Sequence, residues 1–223
     1  MVATIADALA HAHDSGVIHR DLNPQNILVD VSGQPRILDF GLAKFNDELA
    51  TVTSASGVLG TPSYASPEQL AGQSHDVDGR TDLYSVGGIF YELLTGRCPF
   101  EGTLNTLLHR IQHEDPVDAC EINPELPPEL GRICALCLAK SPDHRYQSAV
   151  HLREDLQRFL GDQPLLYATE DKPSASARQV EDLAGSEGRD GSVRRLFRGR
   201  ASLFLTAIAV VMAILAAIAL LRG

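Results

Sequence analysis

Three oxygen-bearing side chains stand at short intervals near the start of the chain: Asp21, Asn26 and Asp39. The first two share one run, "VIHRDLNPQNILVD" from Val17 to Asp30, in which His19-Arg20-Asp21 is followed after four residues by Asn26. Asp39-Phe40-Gly41 comes thirteen residues after Asn26. A carboxylate can accept the proton of a hydroxyl group, and a carboxylate with a carboxamide supplies the oxygen ligands that a hard cation such as Mg2+ prefers. Phosphoryl transfer needs both functions and little covalent chemistry besides. A lone Asp-x4-Asn reads as a solvated turn. The second motif, a hairpin's distance away, makes the pair specific.

Such groups need a frame. Residues 2 to about 15 carry apolar positions at Ile5, Leu9 and Ala12, which predicts a helix ended by Gly16. "NILVD" and "PRILDF", separated by "VSG", predict a small hairpin that would hold Asn26 and Asp39 in register. Leu42 to Ser66 is rich in Ser, Thr and Gly and lacks a period, so a long loop is expected, a feature usually tied to function. Asp82 to Thr95 is apolar nearly all round, as in a buried central helix. Thr103 to His113, Glu129 to Leu138 and Ala149 to Leu160 are further helical stretches. The class is α+β, mainly helical. Cys134 and Cys137 form a CxxC inside a helical pattern, where that spacing describes core cysteines. His11 and His13, two apart on a helix, point to different faces and cannot share a metal.

The series continues with "GTPSYASPEQ" (Gly60 to Gln69), "DLYSVG" (Asp82 to Gly87) and Arg145. With the first two motifs, in this order, the chain resembles the C-terminal lobe of a eukaryotic-like (Hanks-type) Ser/Thr protein kinase over about residues 1 to 160. "SPEQ" resembles the bacterial branch. The resemblance implies Asp21 as the base that accepts the substrate proton, Asn26 and Asp39 as Mg2+ ligands, and ATP as phosphoryl donor. It implies a structural role for His19. Arg20 matches the arginine that pairs with a phosphorylated activation loop, in which Thr51, Thr53, Ser54 and Ser56 are possible acceptors. Gly60 and Thr61 match the segment that shapes the peptide site, and the threonine suggests Ser/Thr specificity. Glu68 and Arg145 resemble a buried ion pair locking the activation segment to the helical lobe. Asp82 resembles the helix-start carboxylate that braces the catalytic loop through backbone amides.

Two departures stand out. The family has a Gly-rich phosphate loop, a strand lysine and a helix glutamate in an N-terminal lobe. No lysine precedes Lys44 and no G-x-G-x-x-G occurs, so that lobe is expected to be missing, as in a truncated receptor-type signalling kinase. The second departure is Asn23, where the family usually has a lysine touching the transferred phosphate. An amide donates a hydrogen bond but brings no charge, a loss of about 1.5–3 kcal/mol, or roughly ten- to a hundredfold in rate. A membrane-tethered pseudokinase or docking module without phosphotransfer is the alternative expectation.

Net charge is −10, which argues against nucleic acid as a partner. The four cysteines show no framework spacing, consistent with a reducing interior. Residues 162–200 turn polar, as in a juxtamembrane linker after a kinase domain at 1–161. Ala201 to Leu221 is 21 residues without a charge, enough to span a hydrocarbon core as one helix. Arg194, Arg195, Arg198 and Arg200 precede it and only Arg222 follows, so the lobe is expected on the cytoplasmic side of an inner or plasma membrane. Expected partners are proteins presenting Ser or Thr, the membrane itself, and a second copy through the lobe or the span.

Overall fold

A computed structural model describes residues 1–40, 62–72 and 77–169, all within one unit, Met1–Ala184. Thr51, Thr53, Ser54, Ser56, Gly60 and Thr61 lie outside the described residues, as do 201–221 and the linker beyond 169. What is described is mainly helical, with one two-stranded hairpin.

Helix α1 (Val2–Asp14) buries Val2, Ile5, Ala6, Leu9 and Ala10. That stripe lies slightly to one side of the expected one, since Ala12 is only half-buried. The helix ends as its sequence predicts. Gly16 takes φ 76°, its N–H bonds the His13 carbonyl at 2.9 Å, and Val17 N–H reaches back to Ala12 at 2.9 Å. This Schellman turn needs a residue without a Cβ penalty at Gly16, and it releases the chain directly into the His19–Asp21 run.

Strands β1 (Ile27–Val29) and β2 (Pro35–Ile37) pair antiparallel, with Ile27 opposite Ile37 and Val29 opposite Pro35. Their turn is organised by Asp30, whose Oδ1 accepts from the Ser32 hydroxyl at 2.6 Å, Ser32 N–H at 2.9 Å and Gln34 N–H at 3.0 Å. Gly33 supplies the left-handed residue at φ 78°. The Ser32 hydroxyl and the Gln34 amide hold the Asp30 carboxyl down at about 2.

After the short helix α2 (Pro67–Leu70) comes α3 (Gly79–Thr95), the centre of the unit. It starts three residues before the expected Asp82 because Asp78 caps it, accepting from Arg80 N–H at 2.8 Å, and it stops at Gly96 in the left-handed region. Every residue from Thr81 through Tyr91 is buried, as expected of a helix apolar on all sides. Gly87 makes this possible: a Cβ there would stand 2.6 Å from Cys137 Cβ.

Helices α4 (Leu104–His113), α5 (Ala119–Ile122), α6 (Pro128–Cys137) and α7 (Ala149–Leu160) complete the unit. Helices α1 and α7 pack together, and α6 packs on α3. Cys134 and Cys137 are buried in that last contact, with Cys134 Sγ 3.7 Å from the Gly87 carbonyl, so the CxxC is a packing element. The stretch read as linker from 162 starts as part of the packed unit. Leu165 and Ala168 are buried, and Asp155 accepts from the backbone N–H groups of Leu166 at 2.6 Å and Ala168 at 2.9 Å.

Candidate active site

The site is built on a carboxylate that never reaches it. Asp82, in the first turn of α3, is fully buried. Its Oδ2 accepts from His19 N–H at 2.9 Å and its Oδ1 from Arg20 N–H at 2.8 Å. These two amides lie where the chain turns sharply, with Arg20 at φ 67°, a conformation that costs a non-glycine residue about 1 kcal/mol or more. The Asp82 carboxylate holds that turn, as the resemblance implied for it.

His13 also bonds Asp82, Nε2 to Oδ2 at 2.8 Å. Its role here was not legible in the motifs. It was readable only as a polar residue continuing the buried α1 stripe, three positions beyond Ala10. The same ring requires Gly79, where a Cβ would stand 2.7 Å from Nδ1.

His19 is buried and structural. Nδ1 faces Asp21 N–H at 3.3 Å, so Nε2 carries the proton that it donates to the Leu38 carbonyl at 2.8 Å. Its ring also meets Phe40 edge-on, with centroids 5.1 Å apart. Through His19 the His19–Asp21 loop is therefore tied to the segment that carries Asp39. Beyond β1 and β2 the ladder continues one step, with Leu38 N–H bonding the Asn26 carbonyl at 2.9 Å. Asn26 and Asp39 thus leave the hairpin at the same end. Asp39 is exposed and adopts φ 56°.

Asp21 stands exposed between two carboxamides. Asn23 Nδ2 lies 3.4 Å from its Oδ1, and Asn26 Nδ2 lies 3.4 Å from its Oδ2. Both amides bond the Asp21 backbone carbonyl more tightly, at 3.1 and 2.8 Å. Asn23 also caps the 3-10 turn Pro24–Asn26, with Oδ1 accepting from Gln25 N–H at 2.9 Å. The side chain at the family's lysine position is therefore folded back into the loop. Asn26 uses its N–H2 on Asp21, which leaves Oδ1 without a donor among the described residues. An amide oxygen beside a loop carrying exposed Asp39 is a donor set of the kind Mg2+ takes, so the residues present fit that ion.

Beneath lies the Glu68–Arg145 pair. Arg145 Nη1 meets Oε1 and Nη2 meets Oε2, each at 2.7 Å, and both side chains are almost fully buried. The other donors are also matched: Nε bonds the Ala139 carbonyl at 2.7 Å, Nη1 the Arg80 carbonyl at 3.0 Å, and Nη2 the Lys140 carbonyl at 2.9 Å. The guanidinium stands over the Tyr84 ring at 4.9 Å. Burial pushes the Glu68 carboxyl up, and Arg145, with the Thr81 hydroxyl at 2.8 Å, more than reverses that. From α2, Gln69 Nε2 bonds the Arg20 carbonyl at 2.5 Å, linking Glu68's helix to the His19–Asp21 loop. The Arg20 side chain itself is exposed.

Residues 1–156 match the family model described as protein kinase domain. A probable serine/threonine-protein kinase of Streptomyces coelicolor is 41% identical over 168 residues, 74% of this chain and 24% of that protein. The serine/threonine-protein kinase PknB of Mycolicibacterium smegmatis is 37% identical over 202 residues, 87% of this chain and 32% of that protein. PknB of Mycobacterium tuberculosis is 37% identical over 166 residues, covering 74% and 26% respectively. The chain spans about a quarter to a third of the length of these curated relatives.

Proposed function

The chain belongs to the protein kinase domain family, and from that premise we propose that it forms the catalytic lobe of a serine/threonine protein kinase acting with ATP and Mg2+ on Ser or Thr of other proteins. One observation carries this reading. Asp21 is exposed, set by backbone bonds to a buried carboxylate, and flanked on both oxygens by amides too distant to satisfy it fully. Such a carboxylate can accept the proton of an approaching hydroxyl, the proton ending on Asp21 as the oxygen attacks phosphorus. Asn26 Oδ1 and Asp39 would hold Mg2+, which when bound neutralises charge on the phosphates. Asn23 steadies the Asp21 loop and contributes no charge.

Phosphate contacts from a Gly-rich loop and lysine are supplied by an N-terminal lobe in this family, and neither motif occurs in the 223 residues. The test is therefore a chain joined to a complete N-terminal lobe from a close relative. Transfer of labelled γ-phosphate to Ser or Thr of a protein substrate is expected, with nearly all of it lost in Asp21→Asn. No transfer from the folded, joined protein overturns the enzyme reading. Asn23 favours a second one, a docking module, because its side chain is committed to Gln25 N–H and the Asp21 carbonyl. Partner binding insensitive to Asp21→Asn, without phosphate transfer, would select it.

Support for a membrane anchor comes from the uncharged run Ala201 to Leu221 and the four arginines before it. Among the described residues no helix is long and apolar enough to cross a membrane. In this reading the kinase lobe is cytoplasmic, and a C-terminal reporter active only in the cytoplasm is expected to stay silent. A strong signal from membrane-bound protein reverses the orientation.

A further inference from the structure

Helix α4 carries a pair of side chains that phosphotransfer leaves unused. His109 and His113 are one turn apart and both exposed, with ring centroids 4.9 Å apart and planes inclined by 57°. The buried residues of this helix are Leu107 and Ile111. Each is two positions from His109, about 200° round the helix, so the imidazoles share the outward face. Among the described residues neither ring makes a hydrogen bond. What faces them is charged: Glu114 Oε1 lies 3.8 Å from His109 Nδ1, and Arg110 Nε pairs with the other Glu114 oxygen at 3.4 Å.

We propose that His109 and His113 form a two-histidine chelate for a late first-row divalent ion, Zn2+ or Cu2+. Two imidazoles at i and i+4 of one helix are a recurrent metal-binding arrangement, and imidazole suits these ions above Mg2+ or Ca2+. The spacing fits. With metal–nitrogen bonds of about 2.0–2.1 Å each ring centre stands ~3.2 Å from the ion, and the observed 4.9 Å separation then subtends roughly 100° at the metal. Glu114 Oε1, 3.8 Å from Nδ1 of His109, has to close by less than about 1 Å to hold that ring as an outer carboxylate and leave Nε2 for the ion. No group of three metal-binding side chains occurs among the described residues, so water completes the shell and the ion exchanges readily. The site bears on the rest of the lobe because α4 packs against Pro62–Tyr64 and α2, the segment that follows Gly60 and Thr61. A bound ion ties together the last turn of that supporting helix.

The experiment is calorimetric titration of the purified, untagged full chain with ZnCl2 and with CuCl2 in a non-chelating buffer, which reads no kinase activity and so fails or succeeds independently of it. One ion per chain is expected, with Cu2+ binding more tightly than Zn2+. His109→Gln and His113→Gln should each weaken binding about tenfold or more, whereas His11→Gln should leave it unchanged. Both replaced residues are exposed, and circular dichroism checks that the variants stay folded. A smaller loss from either substitution, or no uptake at about 0.1 mM ion, overturns the chelate.

Discussion

The floor and the rim of the candidate active site are both built from carboxylates, and they are bonded in opposite ways. On the floor, Glu68 and Arg145 are nearly inaccessible, and every guanidinium donor has an acceptor within 3.0 Å. On the rim, Asp21 is exposed, and among the described residues its carboxylate oxygens have hydrogen-bond donors only at 3.4 Å. The floor decides where the backbone runs, so its polar groups must be satisfied within the protein, because water cannot reach them. In the proposed function the rim exchanges its partners for a hydroxyl and a cation, which suits oxygens left short of hydrogen bonds.

The largest effect that would break this contrast belongs to the floor. Arg145→Ala strands the buried Glu68 carboxylate without its cation, and should cost about 3–5 kcal/mol in urea unfolding. Replacing both members by methionine should recover most of that loss. A cost below about 1 kcal/mol would show that the pair is not part of the floor. Acid acts in the same direction. Arg145 holds the Glu68 carboxyl below the ordinary carboxylate range, so its contribution is present above the unfolded value and fades as pH falls through the folded one.

On the rim, Asp21→Asn removes a proton acceptor without changing shape. Unfolding should shift by no more than about 0.5 kcal/mol, while phosphate transfer by the protein joined to a complete N-terminal lobe falls roughly 10²- to 10⁴-fold. A destabilisation matching that of Arg145→Ala would erase the distinction between the two regions.

Asn23→Lys sharpens the contrast, because the residue has one foot in each region. The ammonium would meet charge developing during transfer, raising kcat of the joined protein by about tenfold or more. Losing the cap on Gln25 N–H should at the same time cost about 1 kcal/mol of stability. Unchanged kcat favours the docking module.

The smallest effect lies under helix α4. Lys140 bonds the Ile111 carbonyl at 2.7 Å and sits over Phe100, and burial lowers its pKa to about 8. Between that value and its ordinary one the unfolded chain binds more protons than the folded chain, so this group makes stability rise with pH across the window. The buried thiols act with the opposite sign at higher pH, since burial raises them. Comparison with Lys140→Met isolates the lysine: the stability difference between the two proteins should narrow or grow steadily in the parent's favour from pH 8 upward.

Periodicity and local motif sufficed for most elements. The apolar repeat of α1, the Gly16 stop, the hairpin and α3, α4, α6 and α7 depend on neighbours within a few residues, and their physics is readable from sequence order. Asp21, Asn26 and Asp39 are proposed from motifs that keep their spacing, and the same motifs named Asp82, Glu68 and Arg145, whose bonds the structure shows. The short α2 and α5 are too brief to show a period, and were not foreseen. The His13–Asp82 bond joins residues 69 positions apart, and nothing local to His13 distinguishes a brace from an ordinary helix surface histidine. The inward fold of Asn23 depends on which acceptors the 3-10 turn places within its reach. A residue's type sets what bonds it can make. Which bonds it makes follows from what packing brings within about 3 Å, and long-range packing settles that only when the whole chain has closed around it.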